Sequence, residues 1–367
     1  MLSAFLSSRG RVAAATIPTS LPAGSSSAAA SSRCFIGDSS STGDLLTDVG
    51  CGRLPRMVEL EPVDAVEVTL VVDNYVDILA AGAEGVRRFP LAYDFSDGEQ
   101  LMAEHGFSAT VTVFSNGSRS SILYDGGMTP RGLGNNLEVM EVDPTGLRAI
   151  VISHGHVDHH GGLEGLAARH GRRRLPLLIH PGAWRDRKVT FPTGAELHLP
   201  PPSRADLEAE GLEVVDERGP TLLLDGRVLV SGEVPRVSEF EVGFPIHLAR
   251  AGDGWEPDPM IVDDQNLIVD VAGKGLVVVS GCSHAGAINV LRNARRLTGR
   301  DRIAGFVGGF HLTGAIFEPI IEPTIAAFVE LGVERVVPGH CTGWRATHRL
   351  ALPDAFVQPS VGTVLRF

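Results

Sequence analysis

The sequence predicts an α/β protein layered as a four-layer αββα sandwich, with its chemistry gathered along one edge. Two observations carry that prediction. Apolar, β-rich runs at 149–152, 276–280, 303–307 and 335–338 each end in a loop that holds a histidine, namely His154, His284, His311 and His340. These runs alternate with helix-like segments, the arrangement in which buried strands deliver polar groups to loops at one end of a sheet.

Taken in order, residues 1–56 are rich in Ser and Ala, carry Arg9, Arg11 and Arg33, and have no acidic residue before Asp38. Such a composition cannot bury a core and reads as a disordered leader. It is either an organelle transit peptide or an extension ahead of a start at Met57. The expected division is therefore a leader at 1–56 and a catalytic domain at 57–367, cytoplasmic or, with a transit peptide, mitochondrial or plastidic.

The β-branched run at 68–72 ends in Asp73-Asn74, and the runs at 109–114 and 121–124 flank Asn116-Gly117, a hairpin signal. A short helix is expected around Asn135-Asn136, a helix from 163 to 170 and a strand at 175–180. Residues 181–220 are Pro-rich and charged without strong periodicity, and the runs at 221–224 and 228–230 flank a second turn at Asp225-Gly226. The stretch 231–241 is too polar for core. Strands resume at 266–271 and 276–280, and 361–367 closes the fold. The long segment 181–262 is expected to form part of a substrate pocket.

Composition narrows the function. With 367 residues, 43% of them hydrophobic, the chain can bury a large core. A net charge of −12, with Arg172-Arg173-Arg174 as the single basic run, argues against nucleic acid as partner. No apolar stretch approaches the ~20 residues of a membrane span. The four cysteines do not make a disulfide framework in a chain of this length and are read as reduced thiols.

The chemistry centres on Ser153-His154-Gly155-His156-Val157-Asp158-His159-His160-Gly161-Gly162. Residues two apart in an extended segment point the same way, so His154 and His156 can offer nitrogens to one ion while Asp158 and His159, past a bend, face a second. Imidazole with carboxylate suits zinc, and also iron or manganese. His160 fits no ligand position and reads as a solvated loop residue.

This pattern resembles the metallo-β-lactamase fold superfamily. The resemblance implies that His154 and His156 serve the first of two divalent ions, zinc before manganese or iron. It gives Asp158, His159 and His340 to the second ion, and sets Asp125 behind the histidine loop as its support. His284 is assigned as a further ligand, with Cys282, in the bridging position, and Asp264 in reserve. The segment before the strand at 266 offers Asp263-Asp264-Gln265 where many relatives have a separate histidine. His311 is read as a substrate contact or a structural hydrogen-bonding group, and Asp158, His284 and His311 form the catalytic set.

A narrower resemblance spans the body from about residue 67. The segments at 232–236 (Gly-Glu-Val-Pro-Arg), 239–241, 263–265, 281–286 (Gly-Cys-Ser-His-Ala-Gly), 308–312 and 340–343 occur in one order. They are similar to the family of 7,8-dihydropterin-6-methyl-4-(β-D-ribofuranosyl)aminobenzene 5'-phosphate synthase. The resemblance implies a metal-dependent condensation of a pterin methyl diphosphate with an aminobenzene ribosyl phosphate, releasing pyrophosphate. It makes Arg236, Glu239 and Arg345 candidates for contact with a phosphorylated small-molecule substrate, and leaves the oligomeric state open. The competing expectations are a metal-hydroxide hydrolase of phosphodiesters, thioesters or lactones and, outside enzymology, a metal-bound binding protein.

Overall fold

The computed structural model describes residues 57–89, 99–166, 174–351 and 355–367. The leader, most of the helix expected at 163–170 and two of the three arginines at 172–174 lie outside the described residues.

Along the chain come β1 (Ala65–Val72), β2 (Val86–Arg87), the hairpin β3 (Ser108–Ser115) and β4 (Ser118–Tyr124), α1 (Pro130–Val139), β5 (Leu147–Val151), α2 (Val157–His160) and β6 (Leu175–Ile179). Next are β7 (Arg187–Thr190), β8 (Glu196–Leu199), α3 (Arg204–Ala209), β9 (Leu212–Asp216), β10 (Thr221–Leu223), β11 (Val228–Val230), β12 (His247–Ala251) and β13 (Gly254–Pro257). The chain ends with β14 (Leu267–Val271), β15 (Gly275–Ser280), α4 (Ala287–Thr298), β16 (Ile303–Gly309), α5 (Ile321–Leu331), β17 (Val336–Gly339), α6 (Trp344–Leu350) and β18 (Val364–Arg366).

Two sheets stack face to face. One has eight strands in the order β2-β18-β1-β3-β4-β5-β6-β9, the other six in the order β10-β11-β14-β15-β16-β17. The two-residue side-chain period explains the layers. In β15, Val277 and Val279 join the core between the sheets while Leu276 and Val278 face the helices; in β5, Ala149 and Val151 point inward while Ile150 packs outward. Strands buried on both faces read as continuous apolar runs, which is why they were visible in the sequence. Helix α1 covers the eight-stranded sheet through Leu133 and Leu137, and α4 and α5 cover the other through Ile288, Leu291 and Phe328. This is the αββα sandwich expected.

Residues 181–262 correct the sequence reading. The hairpin expected around Asp225-Gly226 is there as β10–β11, but the stretch read as lacking periodicity also holds α3 and β9, and β7, β8, β12 and β13 form a third sheet of four antiparallel strands in the order β13-β12-β7-β8. Its strands have four or five residues and expose much of their surface, so neither alternation nor apolar runs mark them. The closing strand starts at Val364 rather than 361.

The glycines around the histidine loop are set by packing. A Cβ on Gly155 would meet the Ala183 carbonyl oxygen at 2.2 Å, and one on Gly162 the Gly126 carbonyl oxygen at 2.0 Å. Gly162→Ala is therefore expected to destabilise the protein by about 1–3 kcal/mol through overpacking against backbone that cannot yield; an unchanged urea midpoint would contradict it.

Candidate metal centre

The expected residues converge where the two sheets share an edge. After β5 the chain bends at His154 and Gly155, carries His156 in extended backbone, then turns into α2, which lifts Asp158 and His159. The loop after β15 brings Cys282 and His284, the loop after β16 brings His311, and the end of β17 brings His340. The ligand atoms of His154, His156 and His284 lie within 4.8 Å of one another, as do those of His154, His159 and Cys282 and those of Cys282, His284 and His311. A further group joins Asp158, His340 and the exposed His105. Asp158 Oδ2 stands 3.2 Å from His340 Nε2, 3.5 Å from His105 Nε2 and 3.7 Å from His159 Nε2. Cys282 sits between the groups, its sulfur 3.1 Å from His159 Nε2.

Supporting hydrogen bonds fix which nitrogens face inward. Asp125, fully buried at the end of β4, bonds the Ser153 amide and hydroxyl and lies 2.7 Å from His159 Nδ1. His159 Nε2 is thus left for the centre. His340 bonds Asn74 Oδ1 through Nδ1 at 3.1 Å, and its amide donates to Asp73. Asp73-Asn74 is the polar pair that β1 delivers; Gly339 must be glycine there because a Cβ would lie 2.3 Å from the Asp73 carboxylate. Tethering one imidazole nitrogen so that the other is aimed is the usual support of a metal ligand.

Two histidines beyond the expected set complete the ring. His247, on β12, is fully buried, bonds the Asp258 carbonyl through Nδ1 at 2.9 Å and puts Nε2 2.9 Å from His156 Nε2. His156 in turn meets His154 Nε2 at 2.9 Å through Nδ1. His247 is thus a buried histidine beside His156, in a segment ahead of the strand at 267 where the sequence reading had noted Asp263-Asp264-Gln265 alone. The signal was present: it is the single histidine between residues 199 and 283. His105, just before β3, gave no comparable signal.

The other expected residues fall as follows. Asp264 is buried, accepts the Ala285 amide at 2.8 Å and so braces the His284 loop. Arg236 donates to the Val234 and Met260 carbonyls, and Arg345 is exposed and paired with Glu318 at 3.1 Å. Glu239 is exposed; the carboxylate of that motif that turns inward is Glu241, which caps α4 through the amides of Ile288 and Asn289. His160 leaves the cluster and reaches the Pro200 carbonyl at 3.3 Å.

The donor set fits a pair of divalent cations. Burial, followed by the neighbouring imidazoles, holds His154 and His284 well below the usual histidine range, and burial with His247 and Arg187 does the same to His156. These rings are therefore neutral, the form a ligand requires. His284 Nε2 is buried with no hydrogen-bond partner, a cost removed when the nitrogen binds a cation. Backbone strain gathers here as well. Asp125, Ser283, His311 and His340 are left-handed at φ 60°, 55°, 46° and 46°, conformations that persist where surrounding structure imposes them.

A sequence profile of the metallo-beta-lactamase superfamily matches residues 106–340, which include every residue of the cluster except His105. The chain belongs to that superfamily. It is 29% identical over 293 residues to the 7,8-dihydropterin-6-methyl-4-(beta-D-ribofuranosyl)-aminobenzene-5'-phosphate synthase of Methanocaldococcus jannaschii, covering 77% of this chain and 97% of the relative. An uncharacterized protein of the same organism is 30% identical over 272 residues, 73% of this chain and 95% of the relative. Among solved structures, a metal-dependent hydrolase of the beta-lactamase superfamily aligns with a TM-score of 0.61 at 26% identity, over 82% of this chain and 98% of its own. No helix among the described residues is long and apolar enough to cross a membrane.

Proposed function

We propose that this superfamily member condenses a pterin methyl diphosphate with an aminobenzene ribosyl phosphate, releasing pyrophosphate, at a centre of two divalent ions. What supports the reading is the likeness to the synthase over 97% of that relative's length. His154, His156, His247 and His284 would hold one ion, Asp158, His159 and His340 the other, with Cys282 between them. Such ions supply Lewis-acid stabilisation of a leaving diphosphate and fix its orientation, with zinc the first choice for this imidazole-rich set.

The chain's own residues do the rest. Asp125, Asn74 and the Asp258 carbonyl hold the imidazoles in register, so little reorganisation accompanies the reaction. The arylamine nitrogen forms a bond to the pterin methylene as the carbon–oxygen bond to diphosphate breaks; the diphosphate leaves with the electron pair and the amine loses a proton. Arg345, beyond the His340 loop, is free to exchange Glu318 for a phosphate, whereas Arg236 is committed to two carbonyls.

The test is pyrophosphate release by the full chain with zinc or manganese, from the pterin methyl diphosphate with and without the arylamine. Release that requires both substrates is expected. Release from the diphosphate alone would favour a hydrolase, the reading that the structural likeness to a metal-dependent hydrolase supports. No release under either condition would overturn the condensation.

A further inference from the structure

Beside the metal cluster, on the side of His284 and His311, lies a small cleft of about 90 Å3, room for a single ring rather than a whole substrate. Its walls are mostly apolar. Phe244 and Phe317 meet edge to face with centroids 5.2 Å apart, and His311 packs against Phe317 at 4.4 Å and Phe244 at 5.6 Å, so three rings form one corner. Both phenylalanines are half-buried, leaving ring surface open. Val242 and Ile316 stand at the exposed rim.

The polar side chains of the lining are mostly engaged. Glu241 has each carboxylate oxygen on an amide at the start of α4, and the Ser283 hydroxyl is taken by Ser280 and the Gly309 carbonyl. His284 and His311 are the exceptions: Nε2 of the first and Nδ1 of the second are buried without partners. With His284 Nε2 given to the metal, His311 Nδ1 is the unpartnered nitrogen left at this end, and apolar walls with one such group suit a ring that is apolar over most of its surface and carries a polar group at one end. A pterin, whose polar edge needs several partners, fits poorly.

Building on the condensation reading, we propose that this cleft seats the arylamine: its benzene ring lies against the corner formed by Phe244 and Phe317, with the amino group at the His284–His311 end and the para substituent toward the rim. The pterin diphosphate then approaches from the other side of the metal cluster.

Stacking of this kind contributes about 0.5–1.5 kcal/mol per ring beyond area burial. Phe244→Leu and Phe317→Leu keep the walls apolar and remove the rings. Each is expected to weaken binding of 4-methylaniline to the zinc-loaded full chain by roughly 2- to 10-fold, read by ligand-observed NMR titration. Binding of cyclohexylamine should be weak in all forms. In turnover, the KM for the arylamine should rise by the same factor while the KM for the pterin diphosphate and the zinc content stay unchanged. Should one variant fail to fold, the other, from a separate loop, carries the test. Equal probe affinity in the wild type and the variants, no probe binding by the wild type at millimolar concentration, or a rise in the pterin KM instead would each overturn the assignment. The binding arm is independent of turnover. Ring-dependent probe affinity in a chain that makes no condensation product would retain the cleft and discard the condensation.

Discussion

Asp158→Ala is expected to lower turnover by about 1,000-fold or more and to reduce bound metal from two ions toward one. Its carboxylate oxygen is the group around which His340, His159 and His105 are arranged, at 3.2 to 3.7 Å. The surrounding charges show the same dependence. Burial alone would raise the Asp158 pKa, yet His159 and His340 hold it well below the usual range, while His340 itself is lifted to about 9 against its own burial, by Cys341 and Asp158. Removing the anion takes away an oxygen donor and the negative charge that would offset the cation. The loss of a Lewis acid of this kind is worth several kcal/mol, and about 4 kcal/mol corresponds to the thousandfold effect. His156→Ala should act on the other ion, because His156 links His154 to His247. Metal analysis of both variants is the decisive measurement. Wild-type metal content in each would remove the assignment of these residues as ligands, whatever happened to activity.

The parts of this centre that were legible in the sequence are those whose information is local. Each of His154, His284, His311 and His340 follows a strand buried on both faces, so an apolar run announces where the histidine will stand. Asp73-Asn74 was visible for the same reason, as the polar ending of a β-branched strand, whereas the role of Asp125 came from the family resemblance. His247 was marked only by being the single histidine in its stretch, with no apolar run to place it, because it begins a short strand of the third sheet, and β12 pairs with β7 across 57 or more residues of chain. Glu241 was hidden by its neighbour: Glu239 and Glu241 lie on either side of Phe240, and which one turns inward is decided by α4, nearly 50 residues later.

Arg187 shows the limit most plainly. It lies in the stretch read as Pro-rich and charged without strong periodicity, yet its side chain is fully buried. It donates to Asp258 at 3.1 Å and, with two nitrogens, to Asp263. Asp263 accepts the Gly155 amide between the two loop histidines, and the Asp258 carbonyl holds His247. One guanidinium thus ties the third sheet to the histidine loop. Arg187→Met should therefore cost about 3–5 kcal/mol, because the buried Asp263 carboxylate loses its counter-ion and Asp258 keeps only Arg185 at 3.5 Å.

The deficit has a predictable pH dependence. In the wild type, burial pushes the Asp263 pKa up but the Arg187 charge and hydrogen bonds outweigh it and bring it down to about 2. That stabilisation is present above the unfolded value of 3.8 and is lost as pH falls through 2. Without Arg187, burial dominates and the folded pKa rises above the unfolded one. The folded variant then binds the extra proton, and its stability recovers as the pH is lowered. Urea melts of the metal-free proteins should accordingly show a larger gap between wild type and variant at pH 8 than at pH 5. If Arg187→Met melts with the wild type at pH 8, the guanidinium is not what joins the third sheet to the metal loop.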